Sequence, residues 1–307
     1  MKIARLIIVL ATTLFLTACS KTTELGNRAI IQEMAIDHDN EIYRVSALLF
    51  SSGSKGGEVL DASQENVIKV SGEGATLSEA LDNISLIDGK SIYMSETKLI
   101  VMGEGFSKTS CIESLMLLYS DMKCSLDTPV CYAKKAEMLT DMHFTEGATS
   151  AEKPLDMIEN AHNTGVSPKP LLLDILADSY AGKATLIPMF SEFENGFGMT
   201  TDEKGKTAVI SGSCQLKNGL IVSEYGIPET YGLMLITGES DSMPLNYFHD
   251  GVQQTCHAYS IKVKASTEKE GALSITARFR KRNGGKLSES EEQSAMERLK
   301  NIIRSAM

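Results

Sequence analysis

Hydrophobic positions change period several times along this chain, and each change marks an element. Ala29 to Ile36 reads as a strand that enters a turn at Asp37-His38-Asp39-Asn40, and Ile42 to Phe50 alternates well enough to be its hairpin partner. Ser51 to Gly57 is a Gly/Ser loop and Val67 to Val70 a short strand. Leu77, Ala80, Leu81, Ile84 and Ile87 then recur at helical spacing behind Thr76-Leu77-Ser78-Glu79, a Thr and Glu placed as in a capping box. A helix from about Leu77 to Ile87 is predicted, with one stripe buried against a sheet and Gly89-Lys90 ending it. The Ser71-Gly72-Glu73-Gly74 stretch before it brackets a glutamate with glycines, which predicts positive φ or a close backbone approach there. Ser91 to Met94 is extended, and Lys98-Leu99-Ile100-Val101-Met102 is a continuous apolar strand.

Further on, Cys111 to Tyr119 is a predicted helix with Ile112, Leu115, Met116 and Tyr119 on one face, and Thr128 to Ala133 a strand. Lys134 to Leu139 begins another helix. Leu155 to Ala161 and Leu171 to Leu176 are two short helices split by Pro168 and Pro170, and Asp178 to Pro188 leads through a loop into a strand. Phe193 to Gly205, rich in Gly, Thr and acidic residues, is the expected domain boundary. Ala208 to Leu216 and Leu220 to Ser223 flank Asn218-Gly219, the signature of a type I′ hairpin turn, and Pro228 suits the first turn of a helix running through Tyr231 to Ile236. Cys256 to Ala265 and Ala272 to Arg280 are alternating strands. Ser288 and Glu291 form a second capping box ahead of the stripe Ala295, Met296, Leu299, Ile302, Ile303, Ala306. A helix of about three turns is marginal alone, so it is expected to dock on those two strands and leave one sheet edge unpaired. The elements add up to an α+β chain of two to three mixed α/β domains with largely antiparallel sheets.

Ahead of these elements, Lys2 and Arg5 precede an apolar run from Leu6 to Leu16, and Leu16-Thr17-Ala18-Cys19 closes it with small residues. The run is too short to cross a bilayer, which needs about twenty apolar residues, and reads as a secretory signal. The tetrad has the form of a bacterial lipobox. Residues 1–18 would be removed, Cys19 acylated, and 19–28 would become a lipidated leader, an ordinary cleaved signal being the alternative. Two or three acyl chains, at ~0.8 kcal/mol per buried methylene, make such an anchor effectively permanent.

The net charge of −10 argues against nucleic acid as a partner and against a broad electrostatic footprint on anionic lipid, which leaves membrane attachment to Cys19. Cys111, Cys124, Cys131, Cys214 and Cys256 show no CxxC pair and no metal-ligand spacing; they read as small core residues, with a Cys124–Cys131 bridge as the alternative. His38, His143, His162, His249 and His257 are isolated, and no G-x-S-x-G elbow occurs. His38 between two aspartates suits turn chemistry; a calcium loop would need Gly and Glu where the chain has Ile42 and Leu48. Gly205-Lys206-Thr207 and Gly89-Lys90-Ser91 mimic the end of a phosphate loop but lack its first glycine, the positions being Thr200 and Ile84. Glu73 and Glu79 cap and solvate. No catalytic, cofactor or metal site is expected.

Several blocks carry a family resemblance. Gly-Glu-Gly-Ala-Thr-Leu-Ser-Glu-Ala-Leu at 72–81, Asp88-Gly89-Lys90-Ser91-Ile92-Tyr93 and Lys98-Leu99-Ile100-Val101-Met102-Gly103-Glu104 form the central ones. Glu24-Leu25, Arg28-Ala29-Ile30 and Ala35-Ile36-Asp37 lie upstream; Thr164-Gly165-Val166-Ser167-Pro168, Leu171-Leu172-Leu173-Asp174, Ile187-Pro188 and Ile210-Ser211-Gly212-Ser213 follow. In order and spacing after a lipobox they resemble the Ger(x)C lipoproteins, the C subunits of spore-germination nutrient receptors. The resemblance implies a non-enzymatic receptor subunit, anchored through Cys19 to the outer face of the spore inner membrane beside integral-membrane A and B subunits. It also implies an N-terminal germination-receptor domain over 29–200 and a C-terminal α+β domain over 205–307 that is truncated relative to the family. It supplies no ligand-binding residue. The alternative is a substrate-binding lipoprotein of a membrane transporter, which would need two βαβ-rich lobes around a hinged cleft.

Overall fold

The computed structural model describes residues 27–50, 67–108, 111–142, 152–194, 206–265 and 273–307. Two sheets organise them. The larger has nine strands: β1 (Arg28–Asp39), β2 (Ile42–Phe50), β3 (Val67–Gly74), β4 (Ser91–Tyr93), β5 (Leu99–Met102), β6 (Val130–Ala133), β7 (Ala184–Glu194), β8 (Lys206–Lys217) and β9 (Leu220–Gly226). Their order is β3-β2-β1-β5-β6-β7-β8-β9, with β4 also beside β1. At the centre β1, β5, β6 and β7 run parallel; on either side hairpins add antiparallel strands. A parallel centre must be covered on both faces, which is why Leu99–Met102 and Val130–Ala133 are buried at every position instead of alternating.

One face carries Met34, Ile36, Ile100, Met102, Val130 and Tyr132. It packs against α1 (Leu77–Asp88), α2 (Ile112–Ser120) and, later in the chain, Leu172 and Ile175. The opposite face carries Ala35, Val101, Cys131, Ala133 and Phe190 and is covered by Met138 and Leu139 of α3 (Glu137–Thr140) and Ile158 of α4 (Glu152–Asn163). Leu172 and Ile175 belong to α5 (Leu172–Tyr180). The division expected between 200 and 205 lies outside the described residues; the strands before and after it, β7 and β8, pair antiparallel from Ala184↔Lys217 to Glu194↔Lys206 with a bulge between Met189 and Phe190.

Local signals set the element ends. The Thr76 hydroxyl accepts from Glu79 N at 3.1 Å, and the Glu79 carboxylate reaches back to Ala75 N at 2.8 Å, one residue before the cap. Gly89 closes α1 in the left-handed region, φ 74°. Gly72 has no positive φ; instead α1 lies against it so closely that a Cβ there would sit 2.2 Å from Ala80 O and 2.8 Å from Ile84 Cγ1. The first turn falls later than Asp37-His38-Asp39-Asn40, since β1 runs on to Asp39 and the two positive φ values, 50° and 65°, are at Asn40 and Glu41. In α2 the buried residues are Leu115 and Leu118, while Met116 and Tyr119 of the expected face are exposed. The Asn218-Gly219 turn has positive φ at both residues, as a type I′ turn requires.

The smaller sheet holds β10 (Met243–His249), β11 (Val252–Ala265) and β12 (Leu273–Lys281) in that order, all antiparallel. β10 carries no strand expectation from its sequence, which includes Pro244. The final helix, counted α7 (Glu289–Ser305) after α6 (Ile227–Thr237), docks as expected: Ala295, Leu299, Ile302 and Ile303 are buried with Leu245, Cys256, Ala258 and Phe279. Its Ser288 accepts from Glu291 N, and Glu291 accepts from Ser288 N at 2.7 Å. α6 ties the sheets together. Its Thr230 bonds Ser213 of β8 at 2.9 Å, and its Gly232 meets α7 so closely that a Cβ would lie 2.6 Å from Ile302 O.

Candidate functional site

Open parallel sheets gather ligands and partners beyond the carboxyl ends of their strands, where loops from separate strands converge. A crevice of about 730 Å³ occupies that place here, lined by Asp37 to Asn40 at the end of β1, Glu104 and Gly105 after β5, Lys134 and Lys135 after β6, and Glu192 on β7. Two glycines let the loop after β5 close onto β1. A Cβ on Gly103 would fall 1.6 Å from Asp37 Oδ1, and one on Gly105 would fall 1.9 Å from His38 O. The Asp37 carboxylate accepts from Ala136 N at 3.0 Å, so one side chain joins β1 to the entry of α3. Burial pushes its pKa from 3.8 up to about 6, against the lowering effect of the backbone donors at Glu137 and Ala136.

The crevice wall carries both signs of charge, mostly in pairs. Lys69 bonds Glu137 at 2.6 Å and also Asp141, Lys108 pairs with Glu104 at 3.0 Å, and Arg44 with Glu73 at 2.8 Å. The Lys69 hydrogen bond holds the Glu137 carboxyl below its ordinary value. Such half-exposed pairs contribute little stability and orient the wall. A nucleophile paired with a base is missing among the described lining residues, and His38 packs against Tyr43 with the rings tilted and their centroids 4.4 Å apart. The arrangement can bind a polar group or a polar loop of a partner.

Behind Asp37 on the same face of β1 stands Glu33, fully buried, with neither carboxylate oxygen hydrogen-bonded. Desolvation raises its pKa from 4.5 to about 8, so it is chiefly protonated at neutral pH. Its place in a strand interior gave no sequence signal, and neither did the crevice, whose residues come from four separate strand ends.

Cys19, the expected lipidation site, lies outside the described residues, as does His143. The five later cysteines are buried free thiols; Cys124 and Cys131 sit in the cores on opposite faces of the large sheet. His162 Nδ1 bonds Ser167 O at 3.1 Å and His249 Nδ1 lies 3.2 Å from Ser294 Oγ, both structural contacts. Gly89 ends a helix instead of starting one, and Thr207 is inside β8. Among the described residues no group of three or more His, Cys, Asp or Glu is placed to hold a metal ion, and no helix is long and apolar enough to cross a membrane.

These features define a mixed α+β protein built on a parallel-centred sheet flanked by hairpins, with largely antiparallel pairing overall. The profile described as the spore germination protein N-terminal domain matches residues 21–192, over half the chain, and the chain belongs to that Ger(x)C family of spore-germination proteins. The match stops within β7. Among solved structures, the crystal structure of the GerBC protein is similar at 17% identity and a TM-score of 0.46, over 89% of this chain and 80% of that one. No curated protein matches.

Proposed function

We propose that this chain is the non-enzymatic C subunit of a nutrient germinant receptor, held by lipid on Cys19 to the outer face of the spore inner membrane and working beside the integral-membrane A and B subunits. The observation that carries the reading is the family match over residues 21–192, which begins just after the lipobox. The crevice at the carboxyl ends of β1, β5 and β6 fits a contact role, because it presents polar groups of both signs without a reacting pair. In this reading the large sheet, β8 and β9 included, is one working unit, and β10 to β12 with α7 are the other. A transporter's binding lipoprotein fits less well: the parallel strands lie in a single sheet, and the crevice is at that sheet's end instead of between two lobes.

The deciding experiment is a germination assay in a strain where this gene is the sole C subunit. Deletion should abolish the nutrient response and the wild-type gene restore it, while Cys19→Ala should leave the protein outside the membrane fraction after a high-salt wash. Normal nutrient germination in the deletion strain would overturn the reading, and loss of solute uptake with normal germination would favour the transporter.

A further inference from the structure

The whole-chain charge conceals a segregated face. Residues 243–286 hold eight lysines and arginines against three acidic residues, in a chain of net charge −10. Within strands β10, β11 and β12 there is no Asp or Glu at all. One side of this small sheet is covered by α7 through Cys256, Ala258, Phe279, Leu299 and Ile303. The other side has no cover among the described residues. Strand alternation places Lys262, Lys264, Arg278 and Arg280 there, all exposed, in the register Tyr259↔Arg278, Lys262↔Thr276 and Lys264↔Ser274. Among the described residues none of the four has a carboxylate partner. The aromatic Tyr259 lies under Arg280, whose guanidinium is 5.5 Å from the ring centroid, and Phe248, 70% exposed, stands on the same side of β10.

We infer that this open sheet face docks on an anionic phospholipid surface. Cations spread over an open sheet face match a flat array of phosphates; aromatic rings between cations suit the depth of the headgroups. The remainder of the molecule is acidic and is repelled by the same surface, so the contact also sets orientation. This inference stands apart from the receptor reading, because binding to lipid requires no receptor partner. Each basic residue near an anionic surface strengthens association by about fivefold.

The chain has no tryptophan, so Phe248→Trp in the full-length protein places a single fluorophore on the face. That protein is reconstituted in vesicles of phosphatidylcholine alone or mixed with phosphatidylglycerol, each containing brominated phosphatidylcholine as quencher. Attachment through acylated Cys19 is the same in both vesicles, so quenching at position 248 reports docking of the face and not attachment of the chain. Quenching should appear with phosphatidylglycerol, disappear in high salt, and be absent in pure phosphatidylcholine. The added pair K262Q and R278Q should lower the docked-to-undocked ratio about twenty-five-fold, with an unchanged thermal melt. If F248W fails to fold, Tyr259→Trp carries the probe on the same face. Equal quenching in both vesicles, or no effect of salt and of the neutralised pair, overturns the inference. A fluorescence change on adding polyglutamate, without any effect of phosphatidylglycerol, also overturns it and assigns the face to an acidic protein.

Discussion

Replacing Glu33 by Gln should flatten the pH dependence of stability without altering the fold. The carboxyl is fully buried in β1, one of the four parallel strands of the large sheet, and has no hydrogen-bond partner, which places its pKa at about 8 when folded against 4.5 when exposed. The folded state therefore keeps a proton that the unfolded state releases. Stability contributed by the protonated group is fully present below pH 4.5, falls as pH rises between the two values, and is lost above about 8. At 1.36 kcal/mol for each pH unit, the loss is about 3 kcal/mol by pH 7 and about 5 kcal/mol once the folded group ionises. Gln has the same shape and cannot titrate. Urea unfolding of wild type and E33Q should give nearly equal free energies at pH 5, with E33Q more stable by about 3 kcal/mol at neutral pH and by more at pH 8.5. Parallel curves over that range would refute the reasoning and show that Glu33 finds a partner or water in solution.

Gly72→Val should lower stability by about 3 kcal/mol in the same assay, because the nearest obstacle is the Ala80 carbonyl of the backbone, which cannot rotate away; an unchanged melting temperature would contradict the close approach. Leu299→Ala, which empties a fully buried site between α7 and the small sheet, should cost about 2–5 kcal/mol. Amides from Glu291 to Arg304 should exchange slowly in the wild type, and rapid exchange there would show α7 undocked. Burial pushes the Cys111 thiol up to about 12 and the Cys256 thiol up to about 11. Cys111, Cys124, Cys131, Cys214 and Cys256 should accordingly resist a thiol reagent at pH 8 and react together on unfolding.

Local chemistry made much of this fold legible, and long-range pairing hid the rest. Thr76 with Glu79 and Ser288 with Glu291 announce helix starts because every group in a cap lies within four residues. β10 was missed because Pro244 argues against a strand, yet it is an edge strand bonded only to β11, the setting that tolerates proline. In α2 apolar residues occur all round the helix, so periodicity could not choose whether the stripe through Leu115 continues with Met116 and Tyr119 or, as it does, with Leu118. The parallel union of β1 with β5 depends on partners far apart in sequence, and the crevice depends on that union. The basic face of the small sheet was hidden for a similar reason, since a net charge summed over the chain cannot report how strands segregate its terms.

The order of strands in the large sheet has a consequence for how the chain reaches this state. β1, β2 and β3 are joined by neighbouring pairings, and so are β7, β8 and β9, which makes each trio a candidate for early, independent formation. The seam between them closes only when β5 and β6 arrive. During synthesis the first trio is complete while the inner edge of β1, with Met34, Ala35 and Ile36, still awaits β5. That edge is apolar, open and ready to pair with another chain. Aggregation during production should therefore track the lifetime of this half-built sheet more closely than the stability of the finished one, and substitutions that slow the arrival of β5 should lower yield even where they leave the native state untouched.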